Sequence, residues 1–269
     1  MAITSLDQWI AGQKRRYDWI KTTTRTTVAN GWFSLFDIAG SPGAGTLNVG
    51  NTANGLVHTD ATAGYPLITD FGGGTGYFSR WEVFNSVISR IRLFDRVFVC
   101  GAYAYNANVT LASQPSFLGR IPGGAAINTA GCTEIWCETV TAPTGNQTWN
   151  IRYTNQGGTA GRQTGAVGIG AAPTVGRCWQ LPLQAGDTGV SLIENVTGGT
   201  SSAGAAVANI MVLRPLCDIR IPVANAGDVF DLLNTGMLQV FQDSALYCLV
   251  MADSTSSGVP NSQIDIVSG

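Results

Sequence analysis

The sequence predicts an all-β protein, a jelly-roll-like antiparallel β-sandwich with a short N-terminal helical arm. Three observations carry that expectation. About a dozen short runs rich in Val, Ile, Tyr, Phe and Trp follow residue 28, and runs of that kind bounded by turn residues read as strands. Turn formers are abundant, with 34 Gly and 10 Pro among 269 residues. Helical spacing of apolar residues is confined to the first 21 positions. Many short strands between turn signals indicate a sandwich or barrel. No self-similarity at the ~30–45-residue periods of solenoids or propellers is visible.

Taken in order, the first element is a helix. Ser5 can cap it and Gln8, three residues on, completes a capping box. Leu6, Trp9, Ile10, Tyr17 and Ile20 fall near one helical stripe, with Gln13 interrupting it, so a helix is expected over residues 5–21. Lys14, Arg15, Arg16 and Lys21 lie on its other faces or near its C-terminal end, where cations suit the helix dipole. Two readings are open: a helix packed on its own domain, or an arm (residues 1–27) that docks on a neighbour. Residues 28–269 are expected to form one sandwich domain. A chain of this length can bury ~75% of its unfolded surface without staples.

Within that domain residues 28–38 read as a strand. The Gly/Asn/Thr-rich stretch at 40–64 is too long for an ordinary connection and reads as a surface loop. Residues 77–84 and 87–100 follow as strands, the second long enough to bulge. Residues 134–140 and 147–154, joined by Ala142-Pro143-Thr144-Gly145-Asn146, read as a hairpin. In its first strand Glu134, Trp136 and Glu138 are placed on a solvated face; in its second Trp149, Ile151 and Tyr153 share one face. Further strands are expected near 164–169, 177–183, 190–197, 206–214, 218–223, 245–252 and 263–267, with a short helix or turn near 228–233.

Composition excludes several functions. Charged residues are 12% of the chain, about half the ~25% of an ordinary domain. The net charge is −2, without the basic excess of a nucleic-acid binder. No stretch approaches the ~20 apolar residues of a membrane helix, and no secretory apolar region opens the chain. Thr, Ser, Asn and Gln must cover the exterior, or a partner covers part of it. Thirteen of the 15 basic residues are Arg, a residue enriched at interface cores while Lys is depleted. Among the six cysteines, Cys100, Cys178, Cys217 and Cys248 read as small core side chains in a reducing cytoplasm. Cys132 and Cys137 could meet across a loop.

No catalytic, cofactor or metal motif emerges. Gly72-Gly73-Gly74-Thr75-Gly76 lacks the strand–helix context of a phosphate loop. His58 is the single histidine and sits in the Gly/Thr-rich stretch. Glu134 and Glu138, four apart on a strand, would lie ~13 Å apart, beyond the separation of a glycosidase pair. Tyr103 and Tyr105, two apart, could form a carbohydrate platform if exposed.

Several segments nonetheless carry a resemblance. Ser5-Leu6-Asp7-Gln8-Trp9-Ile10, Leu35-Phe36-Asp37-Ile38-Ala39-Gly40 and Pro42-Gly43-Ala44-Gly45-Thr46-Leu47 resemble a family of tailed-bacteriophage virion structural proteins. So do Leu181-Pro182-Leu183-Gln184-Ala185-Gly186-Asp187 and Asp243-Ser244-Ala245-Leu246-Tyr247. The resemblance implies a structural, non-enzymatic role and transfers no active-site residue. The expected function is binding and stabilising the assembled shell of major capsid protein as a homo-oligomeric cement or decoration protein on the capsid surface. Alternatives are a tail or neck component and a carbohydrate-binding attachment module. The expected partner-binding residues are Trp9, Ile10, Lys14, Arg15, Arg16 and Trp19. On this reading, removing residues 1–25 abolishes docking and leaves the sandwich folded.

Overall fold

The computed structural model describes residues 3–123, 133–169, 174–199 and 206–269. The chain starts with helix α1 (Leu6–Ala11), then strands β1 (Gln13–Lys21), β2 (Trp32–Ser34), β3 (Gly40–Ser41), β4 (Asn51–Leu56), β5 (Gly76–Asn85) and β6 (Ser89–Ala104). There follow β7 (Asn108–Thr110), β8 (Glu134–Thr141), β9 (Gln147–Asn155), β10 (Arg162–Gln163), β11 (Val167–Ile169), β12 (Arg177–Leu181) and β13 (Val190–Gly198). The last elements are β14 (Val207–Ile221), β15 (Ala226–Phe230), helix α2 (Leu232–Thr235), β16 (Gln239–Val240), β17 (Leu246–Ala252) and β18 (Asn261–Ser268). The fold is all-β and of the sandwich or barrel kind, and its strands pair antiparallel among the described residues.

One sheet closes on itself. Its order is β14-β8-β12-β2-β17-β6, and β6 pairs back onto β14, with β4 added along β6. Closure removes the free edges that an open sheet must protect. Phe94, Trp136, Met211, Leu213, Tyr247 and Leu249 fill the ring. A second sheet, β15-β5-β18-β1-β3, packs on one side of it over Trp19, Trp81, Ile91, Leu93, Ile219 and Ile266. A third, β10-β9-β13-β7, covers the other side over Phe98, Cys100, Trp149, Ile151, Ile193 and Ile210. Within the expected all-β sandwich or barrel class, the arrangement is a closed ring with a sheet on each flank. Strands β6 and β14 are apolar on both faces because both faces are covered, the pattern of a fully buried strand.

Several expectations are corrected. The helix ends at Ala11 rather than running to residue 21: Gly12 donates its N–H to the Gln8 carbonyl at 2.8 Å, and the chain then extends as β1. A Cβ at Gly12 would stand 2.6 Å from Val267 Cγ2, so the helix-to-strand corner passes too close to β18 for a side chain. Lys14, Arg15, Arg16 and Trp19 thus lie on a strand that pairs β18 from Gln13 to Ile20 and β3 at its end. With β1 inside a sheet, residues 1–25 are not a detachable arm.

The hairpin of residues 134–154 does not form. Strand β8 pairs β12 and β14 in the closed ring, while β9 pairs β10, β11 and β13 in a flanking sheet. The supposed solvated face of β8 points into the ring, where Trp136 and Glu138 are fully buried. The 40–64 stretch is not all loop: it holds β3 and β4. Residues 206–223, read as two strands, are largely the single strand β14, bulged between Pro215 and Cys217. Cys137, Cys100, Cys178 and Cys248 are buried free thiols and Cys217 is half-buried; Cys132 lies outside the described residues.

Candidate interaction surface

Helix α1 is six residues long, too short to persist on propensity alone. Local bonds hold it instead. Ser5 Oγ accepts the Gln8 N–H at 3.2 Å, and Gln8 Oε1 accepts the Ser5 N–H at 3.2 Å, the expected capping box. At the other end Lys14 Nζ donates to the Trp9 and Ile10 carbonyls at 3.1 and 3.0 Å, where a cation suits the dipole. The helix buries none of its residues. Leu6 is 60% and Ile10 59% exposed, and their i, i+4 spacing puts them on one face.

Helix α2 stands beside it. Asp231 caps α2 by accepting the Leu233 and Asn234 N–H groups at 2.9 and 3.3 Å. Gly236, at φ +62°, ends it in the left-handed conformation. Leu233 is 82% exposed. A groove of about 260 Å³ runs between the two helices, lined by Ile3, Leu6, Trp9, Leu232 and Met237 among others. Ala11 and Gly12 line a second hollow of about 230 Å³ with Ser268 and Gly269. Exposed apolar side chains gathered on one face mark an interaction site more often than scattered ones do.

The expected site residues divide. Ile10 lies on the exposed face, and half-buried Trp9 lines the groove under the Lys14 ammonium, 4.6 Å from its ring centroid. The cations are engaged within the molecule. Lys14 closes α1. Arg15 donates to Ser268 Oγ at 2.7 Å and to the Asp70 carbonyl at 2.5 Å. Arg16 grips Asp265 with two bonds, of 2.8 and 3.1 Å, across the β1–β18 ladder. Trp19 is 2% exposed, in the core beneath β1. Leu6 and Leu233 were not among the expected residues. Leu6 was legible from its i, i+4 relation to Ile10, whereas Leu232 and Met237 reach the groove only through tertiary packing, and Leu233 is exposed on α2.

A separate polar cluster lies at the ring. Asp95 Oδ1 accepts from Arg120 and from the Ala245 N–H at 2.8 and 3.0 Å, and its Oδ2 from Ser244 Oγ at 2.8 Å and Arg214 at 3.4 Å. Arg120 also donates to the carbonyls of His58, Asp243 and Arg96. Inside the ring Glu138 accepts from Tyr247 Oη at 2.7 Å and from Asn209 at 3.1 Å, with the Arg96 guanidinium 3.9 Å away. Arg96 lies over the Phe36 and Tyr247 rings at 5.3 and 5.2 Å. His58 accepts or donates at 3.0 Å to Tyr65 Oη; burial first, then Arg96 and Arg120, push its pKa down to about 3. The oxygens of Asp95 and Glu138 are occupied by internal donors, so this cluster ties loops to strands.

The other chemical candidates fare as follows. Tyr103 and Tyr105 are 1% and 2% exposed, with Tyr103 Oη on the Thr52 carbonyl at 2.7 Å, so they form no carbohydrate platform. Among the described residues no group of three His, Cys, Asp or Glu could hold a metal ion, and no helix is long and apolar enough to cross a membrane.

No family model and no curated protein matches the chain. Solved structures to which it is similar are chains of infectious bursal disease virus particles. With the structure of the virus Gt strain the identity is 10%, over 96% of this chain and 81% of that one, at a TM-score of 0.19. With the VP2 subviral particle the values are 9%, 96%, 81% and 0.19. A likeness at such TM-scores carries no weight for function.

Proposed function

We propose that this chain is a non-enzymatic structural protein of a phage virion, made in the bacterial host cytoplasm. It binds the major capsid protein of the assembled shell and stabilises that shell as a homo-oligomeric cement or decoration protein. The observation that supports this reading is α1: a helix closed at both ends by side chains, with no fully buried residue, that presents Leu6 and Ile10 to solvent. A protein that binds only the assembled shell stabilises it by mass action. A few anchors supply most of an interface's affinity, aromatic ones above all, and Trp9 lines the groove with Leu6. The structural role also accords with the use of the acids, since Asp95, Glu134, Asp187, Glu194, Asp218 and Asp265 all pair with arginines.

The test is the copy number of the chain per purified particle, by mass spectrometry against the major capsid protein. Hundreds of copies are expected. A dozen or fewer would move the protein to the tail or neck, and absence from the particle would refute a virion role. Co-sedimentation with purified shells should fall at least about tenfold when Leu6→Ser is combined with Ile10→Ser, without loss of fold, because neither side chain is in the core.

A further inference from the structure

We propose that residues 57–69 form a strap over the end of the ring, held shut by an uncharged His58 and released when acid protonates that ring. The stretch lies between β4 and β5 and contains no strand. Its backbone-to-backbone bonds close within it, from the Thr62 N–H to the Thr59 carbonyl at 2.9 Å and from the Tyr65 N–H to the Thr62 carbonyl at 3.4 Å. Side chains fasten it. Arg120 donates to the His58 carbonyl, Asp60 Oδ2 accepts the Ile68 N–H at 2.7 Å, and Tyr17 Oη accepts the Thr69 N–H at 3.0 Å. Tyr65 seats in the ring core and Ile68 in a flanking core. Opening the strap therefore breaks no sheet ladder, and segments held in this way open at lower cost than the strands beneath them.

His58 is the chain's single histidine and is buried. Its ring makes one hydrogen bond among the described residues, with Tyr65 Oη at 3.0 Å, and stands 6.5 Å from the Phe36 ring. A protonated imidazole has two N–H groups to satisfy. The charges nearest to it are cations: Arg120, from the turn after Phe117, bonds the residue's own carbonyl, and Arg96, from β6, lies over Phe36. The acids nearby serve other groups. Asp95 accepts from Arg120 at 2.8 Å, Glu138 stands 3.9 Å from Arg96, and Asp60 is turned to the Ile68 N–H, with Asp243 repelling it. A buried imidazolium would thus meet two like charges and no acid of its own. Opening carries the ring to water, so the open strap binds the proton that the closed strap refuses. Asp60 works the other way. Burial raises its pKa, so the closed form takes up that proton first and offsets part of the release.

Hydrogen exchange of the full chain, followed by mass spectrometry at pH 7.5, 6 and 5 and corrected for the chemical exchange rate, reads the strap directly. Protection of residues 57–69 should fall between about tenfold and about thirtyfold from pH 7.5 to 5. The upper figure is what a ring of pKa about 3 when closed and about 6.5 when open gives without the Asp60 offset. At each pH the strap should exchange far faster than β14, because it opens without the sheets. His58→Gln, which cannot take up the proton, should hold the strap's protection level across the same range. A second measurement needs no variant. The lone imidazole resonance should keep its neutral position at pH 6, where a free imidazole is about three-quarters protonated. Strap protection unchanged between pH 7.5 and 5 would overturn the inference, as would an equal fall in His58→Gln. An imidazole that titrates near pH 6.5 under a closed strap would show that the site accepts the cation. Equal protection of the strap and β14 would show that the stretch opens only when the whole molecule does. Either result removes the strap.

Discussion

Asp95 receives two guanidinium groups while fully buried, together with a hydroxyl and a backbone N–H. Its partners come from strand β14, the turn after Phe117 and the turn before β17, so one carboxylate fastens three segments to β6. Removing one member of a buried ionic set strands the others without solvent. Asp95→Ala should cost about 3–5 kcal/mol, read as a lowered urea midpoint at unchanged slope; a loss below about 1 kcal/mol would show that the cluster tolerates unpaired cations. His58 sets a second expectation. Its pKa is about 3 when folded and about 6.5 when unfolded. Between those values the unfolded chain holds a proton that the folded chain lacks. Stability contributed by neutral His58 is complete above about pH 6.5 and is lost as pH falls towards 3, at up to about 1.4 kcal/mol per pH unit. Urea titrations at pH 7.5, 6 and 5 should show that decline, and His58→Gln should flatten it relative to wild type.

At the scale of elements, α1 and β1 are neighbours in sequence with opposite roles. Helix α1 buries no residue, whereas β1 buries Tyr17, Trp19 and Lys21 and lies between β18 and β3. Deleting residues 3–11 should leave the circular dichroism spectrum and urea midpoint close to wild type while shell binding is lost. Deleting residues 3–21 should leave no cooperative transition: the loss of Trp19 alone is worth about 3–5 kcal/mol, and the ladder to β18 goes with it, against a total stability of about 5–15 kcal/mol. A folded product of the longer deletion would overturn this account. The same two elements show what the sequence could disclose. The start of α1 was legible because Ser5 and Gln8 act within one turn. Its end was not, because Leu6, Trp9, Ile10, Tyr17 and Ile20 satisfy a helical period while Arg15, Tyr17, Trp19 and Lys21 satisfy a period of two. Buried Lys21, with Nζ on the Ile38 carbonyl at 2.9 Å, disguised the alternation. The β8–β9 hairpin failed for a different reason: a turn between two strands does not say whether they share a sheet. Glu138 looked solvated because its internal donors, Tyr247 and Asn209, are more than seventy residues distant. On the interaction face, Ile10 and the capped helix were readable locally, but Leu232 and Met237, the far wall of the groove, required the fold.

At the scale of the whole molecule, the long strands β6 and β14 make the three cores interdependent. From β6, Ile91 and Leu93 enter one flanking core, Phe98 and Cys100 the other, and Phe94 and Val99 the ring. From β14, Ile219 and Ile221, then Ile210 and Val212, then Met211 and Leu213 do the same. A flanking sheet that peeled away would expose one face of both strands, and the ring would then lose the support of its two longest members. Unfolding is therefore expected as one transition. At about 0.7 kcal/mol per residue near 60 °C, 269 residues correspond to a calorimetric enthalpy of roughly 190 kcal/mol, equal to the van't Hoff value if the unit is whole. Far-ultraviolet dichroism and tryptophan fluorescence should report the same midpoint, since Trp19 and Trp81, Trp149, and Trp136 sample the three cores separately. A van't Hoff enthalpy near half the calorimetric one, or a fluorescence midpoint displaced from the dichroism midpoint, would mean that a flanking sheet melts alone. In a shell-bound protein the single transition has a mechanical corollary: docking through α1, which joins directly to β1, would be supported by the stability of the entire molecule rather than by that of one sheet.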